Sequence, residues 1–109
     1  EYAELLESAH ALVTASRAEG YGLPVVEAQA AGCPAVISDI DIFREIAPHA
    51  VFASVTEDPK ADAPAWVEAI RSLENDTVRD RVILKGLQDA SHYSWRDSAL
   101  KLVRIVRGL

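Results

Sequence analysis

Cysteine is nearly absent from this sequence: Cys33 is the one thiol among 109 residues. No disulfide can close within the chain, and nothing in its cysteine usage points to secretion, so a cytoplasmic, reducing setting is expected. Positive charge is scarce as well. With 11 Lys and Arg against 17 Asp and Glu, the formal net charge is −6. That argues against nonspecific binding to nucleic acid or to an anionic membrane face, both of which reward clustered cations. Long apolar runs are missing, and none approaches the roughly 20 residues of a membrane-spanning helix. There is no secretory signal pattern, no internal repeat and no low-complexity tract. The chain opens at Glu1 without an initiator methionine and enters a helical pattern at once. A piece cut from a longer protein is therefore expected, and the sequence carries no signal for or against membrane association of that protein.

What is present is the composition of an ordinary globular domain, 50% apolar and 26% charged, a balance typical of soluble chains. The length suits one small domain and lies above the size at which disulfides or metals are usually needed. Residues 1–9 (EYAELLESA) place Tyr2, Leu5, Leu6 and Ala9 at helical spacing. Residues 11–15 (ALVTA) form a short apolar run whose length and β-branched content predict a buried strand. A glycine-containing loop follows at 16–23. Pro24 then opens a helix at the position where proline is best tolerated. That helix runs over 25–31 and stops at Gly32, a natural C-terminal cap. Residues 34–38 read as a second strand. Asp39 or Asp41 is expected to cap a short helix at 42–46, and 50–53 reads as a third strand.

The polar stretch 56–63, with Pro59 inside it, reads as a loop. Three helices are expected to finish the chain. The first carries the stripe Trp66, Ala69, Ile70 and Leu73, and the second Val78, Val82, Ile83 and Leu87. The third opens at the capping-box pattern Ser94-Trp95-Arg96-Asp97. Strands alternating with helices through short connections predict parallel βαβ units. The expected fold is α/β, a three-layer Rossmann-like half with a short parallel sheet of about three strands and flanking helices. Its first strand, 12–15, is expected at a sheet edge, where an exposed ladder invites pairing with a second copy.

The chemistry concentrates in Glu19-Gly20-Tyr21-Gly22-Leu23-Pro24. This segment follows the end of a predicted parallel strand and precedes a helix N-terminus, the edge at which open α/β sheets bind ligands. Gly20 and Gly22 let a ligand approach the backbone and permit positive φ. The free N–H groups of the helix's first turn face an anion, helped by about 0.3–1 kcal/mol from the helix dipole. A diphosphate or a sugar fits such a cradle, although Gly-x-Gly before a helix is equally the composition of a plain turn. Glu27 sits among Val25, Val26, Ala28, Ala30 and Ala31. With Leu23 as N-cap it falls at N4, one position past a capping box. On a helix packed closely against a sheet its carboxylate needs a partner. Two ligand hydroxyls would satisfy both oxygens, each such bond contributing about 1.5–3 kcal/mol; an exposed Glu that only complements the dipole is the plainer alternative. Glu19 can reach the same cleft from the loop, or be a solvated loop charge.

The run Glu19-Gly20-Tyr21-Gly22-Leu23-Pro24-Val25-Val26-Glu27-Ala28, with Ala31-Gly32-Cys33-Pro34 and Val36-Ile37-Ser38-Asp39 after it, resembles the signature of family-four (group 1) retaining glycosyltransferases of the GT-B fold. The two glutamates reproduce the E-x7-E spacing of that family. The resemblance begins upstream of Ala15-Ser16, takes in Phe43-Arg44-Glu45 and ends at Tyr93-Ser94-Trp95, nearly the whole chain. It implies that residues 1–109 are the C-terminal portion of a donor-binding domain. Glu19 would then lie near the reacting centre and bind hydroxyls of the transferred sugar. The backbone of Gly20, Tyr21, Gly22 and Leu23 would hold the sugar and the diphosphate, and Glu27 the ribose hydroxyls. The implied reaction moves a glycosyl group from a nucleotide-sugar to an acceptor hydroxyl with retention, with no cofactor and no protein-bound metal.

Departures from that signature are Tyr21 in place of the commoner Phe, and Gln29 in place of the frequent Met. Asp39-Ile40-Asp41 replaces a glycine-containing turn, so no sugar contact is carried to it. The family's basic residues for the diphosphate lie upstream, as do the acceptor-binding N-terminal domain and the other half of the sheet. A charged leaving group without a cation is poorly stabilised, so the isolated chain is expected to lack useful transferase activity. Two other readings are a GT-B-like nucleotide-sugar epimerase and a non-catalytic nucleotide-binding or assembly domain. Elsewhere, His10, His49 and His92 lack metal-ligand spacing and read as surface or satisfied positions. Cys33 reads as a small packed side chain, Trp66 and Trp95 as core anchors, and residues 76–81 as a solvated mixed-charge face. Arg104 and Arg107 suit a helix C-terminus.

Overall fold

Short β-branched runs separated by helical segments produce the expected sheet. The computed structural model describes residues 10–15 and 23–92, with Leu23 described for its backbone only. Strands β1 (Leu12–Thr14), β2 (Ala35–Ser38) and β3 (Val51–Ala53) are parallel and lie in the order β1-β2-β3. Their register pairs Thr14 with Ile37 and Ile37 with Phe52, and pairs Val13 with Val36 and Val36 with Val51. Because side chains alternate along a strand, these two rows face opposite sides of the sheet.

Helices α1 (Leu23–Ala30) and α2 (Asp41–Ile46) cover the first side. Val25, Phe43 and Ile46 pack there with Ala35, Ile37 and Ala47 in one buried cluster. On the other side, Val36 meets Leu73 and Val82, with Trp66, Ala69, Ile70 and Val78 around them. Those residues come from α3 (Pro59–Ser72), its cap, and α4 (Asp76–Ala90). Phe43, Ile37 and Leu73 are fully buried, and each such side chain contributes about 1.5–3 kcal/mol relative to exposure. The result is the expected α/β fold, with helices on both faces of a parallel sheet, and among the described residues β1 lies at an edge as anticipated.

Several local expectations change. The stretch 56–63 is not all loop, since α3 begins at Pro59. Asp58 is its N-cap, accepting a hydrogen bond from the Lys60 N–H at 3.1 Å. Proline at N1 is pre-organised for that start. Neither Asp39 nor Asp41 caps α2. The N-cap is Ile40, which has no side-chain bond, because Asp39 is drawn to Arg44 instead. On α4 the buried stripe is Val82, Gly86, Asp89 and Ala90 rather than one ending at Leu87, which stays 40% exposed. This helix leaves the sheet to pack on α1, and its small Gly86 sits against Gln29 there. Val13, expected inside a buried strand, is 48% exposed. Gly32, after α1, has φ +77°, the left-handed geometry of a glycine cap. The expected helices at 1–9 and from Ser94 lie outside the described residues. No helix among the described residues is long and apolar enough to cross a membrane.

Candidate functional site

The C-terminal edge of the sheet is the place to build the site, because β1 ends there and α1 begins there. Glu19, Gly20, Tyr21 and Gly22 lie outside the described residues. Leu23 is the first residue of α1, so Glu27 is fifth in the helix, one place further from a capping box than the sequence suggested. Its side chain is half-buried and makes no hydrogen bond or ion pair with any described residue. Its main-chain carbonyl accepts from Ala31 at 3.1 Å. On either side, Val25 and Ala28 are buried in separate clusters. The Glu27 carboxylate is thus held by a helix fixed on both sides of it, yet lacks a described protein partner.

Around that helix the edge is ordered by short bonds. The Ser38 hydroxyl donates to the Thr14 carbonyl at 3.2 Å, joining the ends of β1 and β2. Asp39, just past β2, accepts from Arg44 Nε at 2.7 Å and from Nη2 at 3.0 Å. This bidentate fork holds the Asp39 carboxyl below the ordinary carboxylate range and raises the Arg44 guanidinium. Arg44 also lies over the Phe52 ring, 3.8 Å from its centroid, within cation–π range. Arg44 is therefore already occupied. Sequence reading missed the pair, for which a five-residue Asp-to-Arg spacing was the one available signal.

On the opposite face of the same edge is a mainly apolar cleft of about 370 Å³, bordered by Val13, Ala15, Pro59, Ala63 and Trp66. Trp66 is the anchor that was expected, its indole N–H donating to the Ser54 carbonyl at 3.0 Å. Cys33 is buried, and burial pushes its thiol pKa up; a protonated, enclosed thiol suits a packing role. Gln29 is only 2% exposed, and neither amide atom has a protein partner among the described residues. Alanines on every side of it were the sequence signal for that burial.

The mixed-charge face at 76–81 is not simply solvated. Arg79 reaches across to donate to the His10 carbonyl at 2.6 Å. Asp89 is buried and accepts from the His49 main-chain N–H at 3.1 Å and lies 2.9 Å from its Nδ1. His10 and His49 are thus satisfied positions, as expected. Among the described residues no group of three or more His, Cys, Asp and Glu is arranged to hold a metal. Trp95, Arg104 and Arg107 lie outside the described residues.

The family model for glycosyl transferases group 1 matches residues 1–88, a span that contains both glutamates and the whole sheet. The chain belongs to the group 1 glycosyl transferases. Among its relatives, phosphatidyl-myo-inositol mannosyltransferase of Mycobacterium leprae is 33% identical over 88 residues, which are 80% of this chain and 23% of that protein. O-antigen chain mannosyltransferase B of Escherichia coli is 28% identical over 99 residues, 91% of this chain and 25% of the relative. Serotype-specific mannosyltransferase WbdA of Escherichia coli is 33% identical over 102 residues, 94% of this chain and 12% of the relative. The chain of this family member therefore spans a quarter or less of the length of these relatives.

Proposed function

We propose that this chain is the donor-holding, C-terminal portion of a retaining glycosyltransferase of GT-B architecture. It moves a glycosyl group from a nucleotide-sugar to an acceptor hydroxyl. The observation that carries this reading is Glu27. Its half-buried carboxylate stands midway along the eight-residue helix that leaves the C-terminal edge of a parallel sheet, and no described side chain answers it. Two ribose hydroxyls supply the donors it lacks. The backbone of Gly20, Tyr21, Gly22 and Leu23 takes the diphosphate and the sugar, and Glu19 stands at the reacting centre, following the E-x7-E resemblance. The reading calls for no protein-bound metal. The names of the three relatives favour mannose as the transferred sugar.

Stabilising the departing diphosphate requires cations, and Arg44 is committed to Asp39 and Phe52. Following the family resemblance, an upstream half-sheet supplies the cations, and a further domain of a cytoplasmic enzyme holds the acceptor. Without them the chain alone is inactive, and the β1 edge pairs with a second copy. A clean monomer in sedimentation at high concentration would remove the pairing.

The test is an NMR titration of the labelled chain with UDP, GDP and ADP, repeated on Glu27→Ala. Shifts confined to residues 19–27 and lost in the variant are expected. Shifts unaffected by the variant would overturn the assignment of Glu27. In the parent enzyme, Glu27→Ala should raise the donor KM, and the product should keep the donor's anomeric configuration. Inversion at a ring carbon without acceptor would point to an epimerase instead.

A further inference from the structure

The N-terminal edge of the sheet, at the opposite end from the donor loop, has its own cleft. It measures about 490 Å³ and lies between the start of β3, the end of α3 and the flank of α4. Small-molecule sites typically occupy about 300–1,000 Å³. Its lining includes Val51, Val78 and Val82, the cations Arg81 and Lys85, and His49, with no carboxylate among the lining residues. In a chain of net charge −6 that grouping is unusual.

Arg81 and Lys85 are one helical turn apart on the same side of α4, an arrangement in which like charges repel and mildly destabilise the helix. Neither forms an ion pair with a described residue. The next turn contains Asp89, which at i+4 from Lys85 has the spacing for a neutralising pair. Asp89 instead turns inward, is 6% exposed, and takes both the main-chain N–H and the ring Nδ1 of His49. Asp89, the α4 carboxylate with that spacing, is thus paired with His49, which lines the cleft.

We infer that this cleft binds a single amphiphilic oxyanion, a phosphate or carboxylate attached to an apolar group. Arg81 presents a planar fork suited to two oxygens and Lys85 a point charge. Val51 and Val78, both partly exposed, take the apolar part. A concave cleft with an apolar floor fits one such molecule rather than a bilayer surface, which would meet a flat cationic face.

The test uses the full labelled chain with decyl phosphate below its micelle concentration, inorganic phosphate, decyl maltoside, and phosphatidylserine vesicles. Saturable shifts at His49, Val51, Arg81 and Lys85 with decyl phosphate are expected, and much weaker ones with inorganic phosphate. Arg81→Gln combined with Lys85→Gln, both exposed helical positions, should weaken binding by roughly tenfold or more while the far-UV circular dichroism stays unchanged. Equal binding of the uncharged maltoside, or no loss in the double variant, would overturn the proposal. So would binding to vesicles through these residues without binding of monomeric decyl phosphate, which would assign a membrane surface.

Discussion

Glu27 and Asp89 are carboxylates on two helices that pack against each other, α1 and α4, yet they are treated in opposite ways. Glu27, toward the C-terminal edge of the sheet, is half-buried and unanswered by any described residue. Asp89, at the far end of α4, is almost completely buried and held twice by His49. The cations reverse the pattern. Arg44 near the C-terminal edge is locked to Asp39 and Phe52, whereas Arg81 and Lys85 at the N-terminal edge have no described ion-pair partner. Each end thus presents a charge that no described side chain pairs with, Glu27 half-buried at one and Arg81 and Lys85 exposed at the other. Hydroxyl donors suit the first end and an oxyanion the second.

Because both ends hang on one core, the largest effect should come from Phe43→Ala. It removes a fully buried ring beside β2 and should destabilise the fold by about 3–5 kcal/mol. Chemical denaturation followed by probes near each end should show one shared transition; two separate ones would break the picture of a common core. Next is Glu27→Ala, which loses up to two charge-assisted bonds of about 1.5–3 kcal/mol each. Nucleotide affinity should fall about tenfold or more, while the urea midpoint changes little. A stability loss without an affinity loss would make Glu27 a structural residue and erase the contrast.

Asp89→Ala should do the reverse, reducing stability by about 1–3 kcal/mol and leaving nucleotide-induced shifts intact. Gln29→Met removes a buried amide with no described protein partner and should raise the urea midpoint by the equivalent of about 1 kcal/mol. A fall would mean the amide is satisfied by a group outside the described residues. The smallest effect belongs to Asp39. Its folded pKa is lowered by Arg44, so whatever the pair contributes is present above the ordinary carboxylate value and is lost as pH falls through the lowered one. The Asp39 carboxyl resonance should titrate below the ordinary range and return to it in Arg44→Gln, with little change in stability for so exposed a pair.

Much of this organisation was written locally. The strands β1, β2 and β3 sit within the apolar runs read from sequence, because a short β-branched run between turn residues has few alternatives. Gly32 terminates α1 where a left-handed residue was expected, since only glycine adopts that φ freely. The start of α3 was legible but misread: Asp58 before Pro59 is a helix-start pattern, and the polar residues after it masked the signal. The inward stripe of α4 was legible only at Val78 and Val82, because Gly86 and Asp89 carry no hydrophobic signal and meet Gln29 and His49 instead.

By itself, then, the sequence determined the α/β class and where the short strands and the helices between them fall, because apolar runs and turn residues are local signals. Only the tertiary structure decided which charges are paired. Asp89 meets His49 across 40 residues and Arg79 meets His10 across 69. Partners so distant are chosen by how helices pack on the sheet, and no local pattern encodes that choice.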